Sequence, residues 1–183
     1  LLPDSEIVFG PSTVDFEIQD WIRKENGYLA AYSETIDQET FSGAEIVHRV
    51  ALETSINPRI LLAFLDFRAG WVSGQPLPTR KINFPIGFEV PQYTGLYKEL
   101  ILTARQLTIG YYGWRSGDIT QITFPDQSQL RIAPTLNAGS AAIMYLFATL
   151  YKPLEWERAL YTPDSFIKFY QTHYGDPWHR AVA

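Results

Sequence analysis

Asn57-Pro58-Arg59-Ile60-Leu61-Leu62-Ala63-Phe64-Leu65-Asp66-Phe67-Arg68-Ala69-Gly70-Trp71 is the stretch whose reading decides the fold. Asn57 is suited to an N-cap, because its side-chain oxygen can accept a free amide of the first turn, and Pro58 fits the first helical position, where no amide is needed. The apolar run from Ile60 to Leu65 falls well short of the roughly 20 residues that cross a bilayer, so it does not read as a transmembrane helix. Just upstream, Ser42-Gly43-Ala44-Glu45 is a capping box in which serine and glutamate satisfy each other's end of the first turn. The helix it opens carries Ile46, Val47, Val50 and Ala51 on one face and stops at Ser55-Ile56. The spacing therefore predicts two helices meeting in a tight corner.

Outward from this corner the pattern is mostly helical. Leu1 to Ser12 contains Pro3, Gly10 and Pro11 and reads as an extended arm; a helix capped by Ser12 or Thr13 follows, with Phe16, Trp21 and Ile22 apolar and Asn26-Gly27 as its stop. Tyr28 to Ile36 fits either a short helix or an extended segment. Gly74 to Tyr93 holds prolines at 76, 78, 85 and 91 and is expected to be an ordered loop, packed through Ile82, Phe84, Ile86 and Phe88. Thr94 is expected to cap a helix to about Tyr112 with a stripe at Tyr97, Leu100, Ile101, Ala104, Leu107 and Tyr111. Alternating Ile119, Ile122, Phe124, Leu130 and Ile132 around Pro125-Asp126-Gln127-Ser128 predict a β-hairpin. Asn137 opens a helix apolar nearly all round, Ala138 to Tyr151; Trp156 to Leu160 reads as helical, and Thr162-Pro163 opens a last helix before Gly175. The fold class is mainly α (α+β) with one β-hairpin, and the organisation a single domain, 13–183, behind an arm, 1–12.

Composition narrows the partners. Of 183 residues, 46% are hydrophobic and only 19% charged, which marks a folded chain. A net charge of -5 argues against nucleic acid, whose phosphates call for clustered cations. Absence of cysteine removes disulfides and thiolate metal sites. With 5 Trp, 11 Tyr and 11 Phe there are more rings than the helical stripes use, a surplus that suits a carbohydrate groove. No apolar run is long enough for a transmembrane segment, and the start at Leu1 fits an exported protein after signal-peptide removal.

Ser42 to Trp71, Asn137-Ala138-Gly139-Ser140 with Tyr145-Leu146, and Glu155 to Tyr174 resemble, in that order, the lysozyme-like lytic transglycosylase domain that cuts bacterial cell-wall glycan. Where that family's helix ends in Glu-Ser-Gly-aromatic, this one has Arg68-Ala69-Gly70-Trp71. Leu2-Pro3-Asp4-Ser5-Glu6, Leu136-Asn137-Ala138-Gly139 and Gly175-Asp176-Pro177-Trp178 resemble the N-terminal module that precedes lysostaphin-like M23 zinc peptidase domains in exported bacterial proteins. These resemblances imply a lysozyme-like fold, an extracellular or cell-envelope setting, peptidoglycan or a related glycan as partner, and a peptidase domain C-terminal to this chain. The chain itself has no His-x-x-x-Asp or His-x-His motif.

Glycan cleavage needs a carboxylic acid, and the guanidinium of Arg68 stays charged at every working pH. Asp66 is the nearest substitute acid, but two residues along a helix turn it by about 200° from position 68. It reads as a capping or solvent-facing carboxylate. Glu45 is explained by its capping box, and Glu53 and Glu99 read as exposed helix charges. Arg68 reads equally as a salt-bridge partner or as a fork for a glycan carboxylate or acetamido carbonyl. Trp71, Tyr112 and Trp114 are candidates for sugar stacking, while Tyr111 falls on the apolar stripe. His48, His173 and His179 have no metal spacing, Gly110 and Gly113 make no phosphate loop, and no cofactor is expected. The expectation is an exported peptidoglycan-binding module without glycosidase activity. Its rivals are an active muramidase using Asp66 and a structural cell-surface module.

Overall fold

The computed structural model describes residues 1–10, 13 and 15–182. Nine α-helices and two small hairpins are found among them, so the chain is mainly α with a small β component. No helix among the described residues is long and apolar enough to cross a membrane. The chain divides into two compact units, Phe9–Ala104 and the pair of segments Leu1–Val8 with Arg105–Ala183.

In the Phe9–Ala104 unit, α1 (Ile18–Glu25) ends at Asn26, whose left-handed conformation (φ 53°) makes the expected stop. It begins later than its sequence suggests, since Glu17 is still extended; the Ser12 cap lies outside the described residues. The ambiguous segment divides into α2 (Tyr28–Ala31) and β1 (Ser33–Ile36), which pairs antiparallel with β2 (Glu39–Ser42) through Ser33↔Ser42 and Ile36↔Glu39. This hairpin adds to the one expected hairpin. Its turn, Asp37-Gln38, takes positive φ at both residues (51° and 74°), a two-residue hairpin geometry made without the usual glycine.

The decisive corner forms as read. Helix α3 (Gly43–Thr54) has the full capping box, with Ser42 Oγ accepting from Glu45 N at 3.3 Å and Glu45 Oε2 accepting from Ser42 N at 2.7 Å. Ile46, Val47, Val50 and Ala51 are buried, and Ser55 at φ 56° ends the helix. Asn57 then caps α4 (Pro58–Ala69), accepting from Arg59 N at 2.9 Å. Residues Ile60 to Leu65 are wholly buried, so α4 is the core helix of this unit.

Helix α5 (Leu96–Ser116) is longer than expected at its far end and starts two residues after Thr94, because Gly95 at φ 100° breaks the helical path. Its first amides are met by Glu34 of β1, whose Oε2 accepts from Leu96 N at 2.7 Å. Gly110 and Gly113 do not end the helix. They make room: an added Cβ would fall 2.7 Å from the Tyr145 Cβ at Gly110 and 2.5 Å from the Ile119 Cδ1 at Gly113.

In the other unit, β3 (Gln121–Thr123) and β4 (Gln129–Arg131) form the expected hairpin, paired Gln121↔Arg131. Helix α6 (Ala138–Ala148) is buried nearly all round, and α7 (Pro153–Tyr161), α8 (Phe166–Tyr174) and α9 (Pro177–Val182) follow, the last of them unexpected. The first residues, expected as an arm, include a 3₁₀ turn at Asp4–Glu6, and Leu2, Glu6 and Ile7 are fully buried. Asn137 Nδ2 donates to the Leu2 carbonyl at 2.6 Å, and Gly139 N donates to Asp4 Oδ1 at 2.8 Å. Glu6 meets Arg180 of α9 in a two-pronged ion pair, both N···O distances 3.0 Å, and also accepts the Tyr170 hydroxyl.

Candidate functional site

The end of α4 carries three of the residues singled out in the sequence, and the structure sends them in different directions. Asp66 is nearly buried, at 7% exposure, and turns toward the chain that leaves the helix. Its Oδ1 accepts from Val72 N (2.8 Å) and Ser73 N (3.1 Å), and its Oδ2 from the Ser73 hydroxyl (2.6 Å). The carboxylate thus clasps the turn after α4 by accepting that turn's amides.

Arg68, expected on the opposite side from Asp66, is 5% exposed and donates from Nε to the Ile86 carbonyl at 2.8 Å. The loop that supplies Ile86 is the proline-rich 74–93 segment. Arg80 of the same loop donates from Nε to the Arg68 carbonyl at 3.2 Å. Trp71 is 1% exposed, edge-on to Tyr28 (ring centroids 4.7 Å) and beside Tyr32 (4.9 Å), so its ring serves an aromatic cluster inside this unit.

A carboxyl that the sequence reading placed on the surface lies here as well. Glu99, in the first turns of α5, is fully buried, and its Oε2 accepts from Gly87 N at 2.7 Å. Burial raises its pKa above the ordinary value, and the backbone amides of Gly87, Ile86, Phe88 and Glu89 oppose that rise. Its Oε1 has no hydrogen-bond partner among the described residues. Gly87, at φ 93°, is where both sides converge: a Cβ there would lie 2.7 Å from the Arg80 guanidinium and 3.1 Å from that of Arg68. The signal in the sequence was the loop, not the glutamate: a 20-residue proline-rich segment must satisfy its amides somewhere. Glu53, read as exposed, is exposed; Arg49 and the Tyr97 hydroxyl hydrogen-bond to it and lower its pKa.

Tyr112 and Trp114 belong to the other unit. Tyr112 is 58% exposed with its ring edge-on to Tyr111 at 5.1 Å, whereas Trp114 is half-buried and donates from Nε1 to the Leu136 carbonyl at 2.9 Å. Tyr111 is buried, as its place on the stripe implies. Of the four residues expected to touch a glycan, Tyr112 is the one with an open ring.

A separate cleft of about 640 Å³ in the Phe9–Ala104 unit lies where α1 and α3 begin, lined by Phe9, Phe16, Glu17, Glu45 and His48 among others. Glu45 therefore does two things, capping α3 and bordering this cleft. The capping-box spacing that explains Glu45 in the sequence gives no sign of Phe9 or Phe16, which approach from a different segment.

The profile of the family described as LasA, N-terminal domain, matches residues 1–183. No curated protein and no solved structure matches the chain.

Proposed function

Because the chain belongs to the LasA N-terminal domain family, we propose that it is an exported, non-catalytic module that binds peptidoglycan and holds a C-terminal M23-type peptidase on its substrate. The observation that carries this reading is the state of the acid position at the end of α4. Arg68 occupies it, buried and bonded to the Ile86 carbonyl, while the carboxylates of Asp66 and Glu99 accept backbone amides, Asp66 from Val72 and Ser73 and Glu99 from Gly87. A glycosidase needs an acid aimed at a glycosidic oxygen, often with a second carboxylate across the bond. Here the carboxylates hold the chain. A lysozyme-like ancestry, a cell-envelope location and stacking of sugar rings on Tyr112 complete the reading; Arg68, Trp71 and Trp114 act as the frame rather than as glycan contacts.

The test is co-sedimentation of the purified chain with bacterial sacculi, followed by mass spectrometry of the supernatant. Retention on sacculi with no released muropeptide is expected, with a smaller retained fraction for Tyr112→Ala. Muropeptide release that persists in highly purified protein, or no retention at all, would overturn it.

A further inference from the structure

The cleft at the starts of α1 and α3 plays no part in the reading above, and its chemistry points to a ligand. Its volume of about 640 Å³ is that of a small-molecule site. Phe9, 40% exposed, and Phe16 supply rings, and Glu17, Glu45 and His48 supply the titratable groups; among the described residues no lysine or arginine lines it. The side chains of Glu17 and His48 make no hydrogen bond or ion pair among the described residues, and Glu45 uses only Oε2 for its cap, leaving Oε1 open. The nearby cation Arg59 stands over the Phe16 ring, 4.6 Å from its centre, and does not line the cleft. Two carboxylates without a cation among the described lining residues repel phosphates and carboxylates. They suit an alkylammonium group, whose stem packs on rings while its charged head meets carboxylate.

We propose that this cleft binds a short peptide through a primary ammonium group, the head meeting Glu17 and Glu45 and the alkyl stem lying on Phe9 and Phe16. The diamino-acid stem peptides of peptidoglycan carry such a group. The proposal rests on the cell-wall reading for the peptide's source and on the cleft alone for its chemistry.

The experiment is an NMR titration of the ¹⁵N-labelled chain with N-acetylated Ala-Ala-Lys amide, whose single cation is the lysine side chain. The control is the same peptide with norleucine for lysine. Amide shifts at Phe16, Glu17, Glu45 and His48 are expected. Affinity for the norleucine peptide should be about fivefold weaker, the scale of an exposed ion pair with a cation–π contribution. Glu17→Gln and Glu45→Gln should each weaken lysine-peptide binding about threefold; glutamine at 45 still completes the capping box, so α3 survives the change. Equal binding of the two peptides, shifts confined to other residues, or a double Gln variant that binds as well as the wild type would overturn the proposal. A chain that binds sacculi but not the lysine peptide defeats this proposal alone. A chain that binds the lysine peptide but not sacculi defeats the cell-wall reading and keeps the cleft.

Discussion

Glu99 is where local sequence and packing disagree most. It sits between Lys98 and Leu100 at the start of a helix, with every local mark of a solvated charge, yet the 74–93 loop buries it and turns Gly87 N toward it. A carboxyl whose pKa is higher folded than unfolded binds its proton more tightly in the native state. Native stability therefore falls as pH rises from the ordinary carboxylate range through the raised native value. Glu99→Gln stays neutral throughout, so it should match the wild type at about pH 4 and be the more stable of the two at about pH 7. Urea midpoints at the two pH values check this, and an equal difference at both would count against it. Asp66 gives the complementary case: its carboxylate is wholly engaged, and Asp66→Ala should cost about 1–3 kcal/mol through the stranded amides of Val72 and Ser73. Thermal unfolding measures that loss, and on the non-catalytic reading proposed above the variant should differ from the wild type in stability and not in action on sacculi.

At the scale of elements, what the sequence made legible was what neighbours in the chain decide. The capping box of α3, the Asn57-Pro58 start of α4, the Asn26 stop of α1 and the β3–β4 hairpin all depend on contacts within a few residues, and all form as read. What stayed hidden depends on distant partners. The β1–β2 hairpin has polar residues on both faces and a turn without glycine, so neither alternation nor turn chemistry announces it. Helix α5 takes its cap from Glu34, more than sixty residues away, and its two interior glycines are there for Tyr145 and Ile119. Likewise the candidate residues Trp71 and Trp114 look alike in a sequence and are claimed by a ring cluster and by the Leu136 carbonyl. Glu34→Ala removes the acceptor of Leu96 N and Tyr97 N and should destabilise the chain by about 1–2 kcal/mol, as loss of an N-cap does. Amide exchange should quicken in the first turn of α5 ahead of its remainder. Unchanged exchange at Leu96 and Tyr97 would count against the cap.

At the scale of the molecule, the Glu6–Arg180 pair is the longest-range polar contact described, joining residues 174 apart. Glu6 is fully buried, so Arg180→Met alone would strand its charge with only Tyr170 as donor and should cost about 3–5 kcal/mol. Replacing both, with Glu6→Met added, should recover most of that loss, since two well-packed apolar groups can stand in for a buried pair. A double variant no better than the single one would mean that the pair contributes through geometry rather than charge compensation.

The contact between the first residues and α9 also sets an order on synthesis. Phe9–Ala104 is one uninterrupted stretch and can fold as it emerges, but Leu1–Val8 belongs with residues that are made after that stretch. Until Arg180 is made, Glu6 has no ion-pair partner, and until α6 is made, Leu2 has no Asn137 to hold its carbonyl. Until those later segments are made, Leu2 and Ile7 lack the packing that buries them, a short sticky strip of the kind a holding chaperone grips.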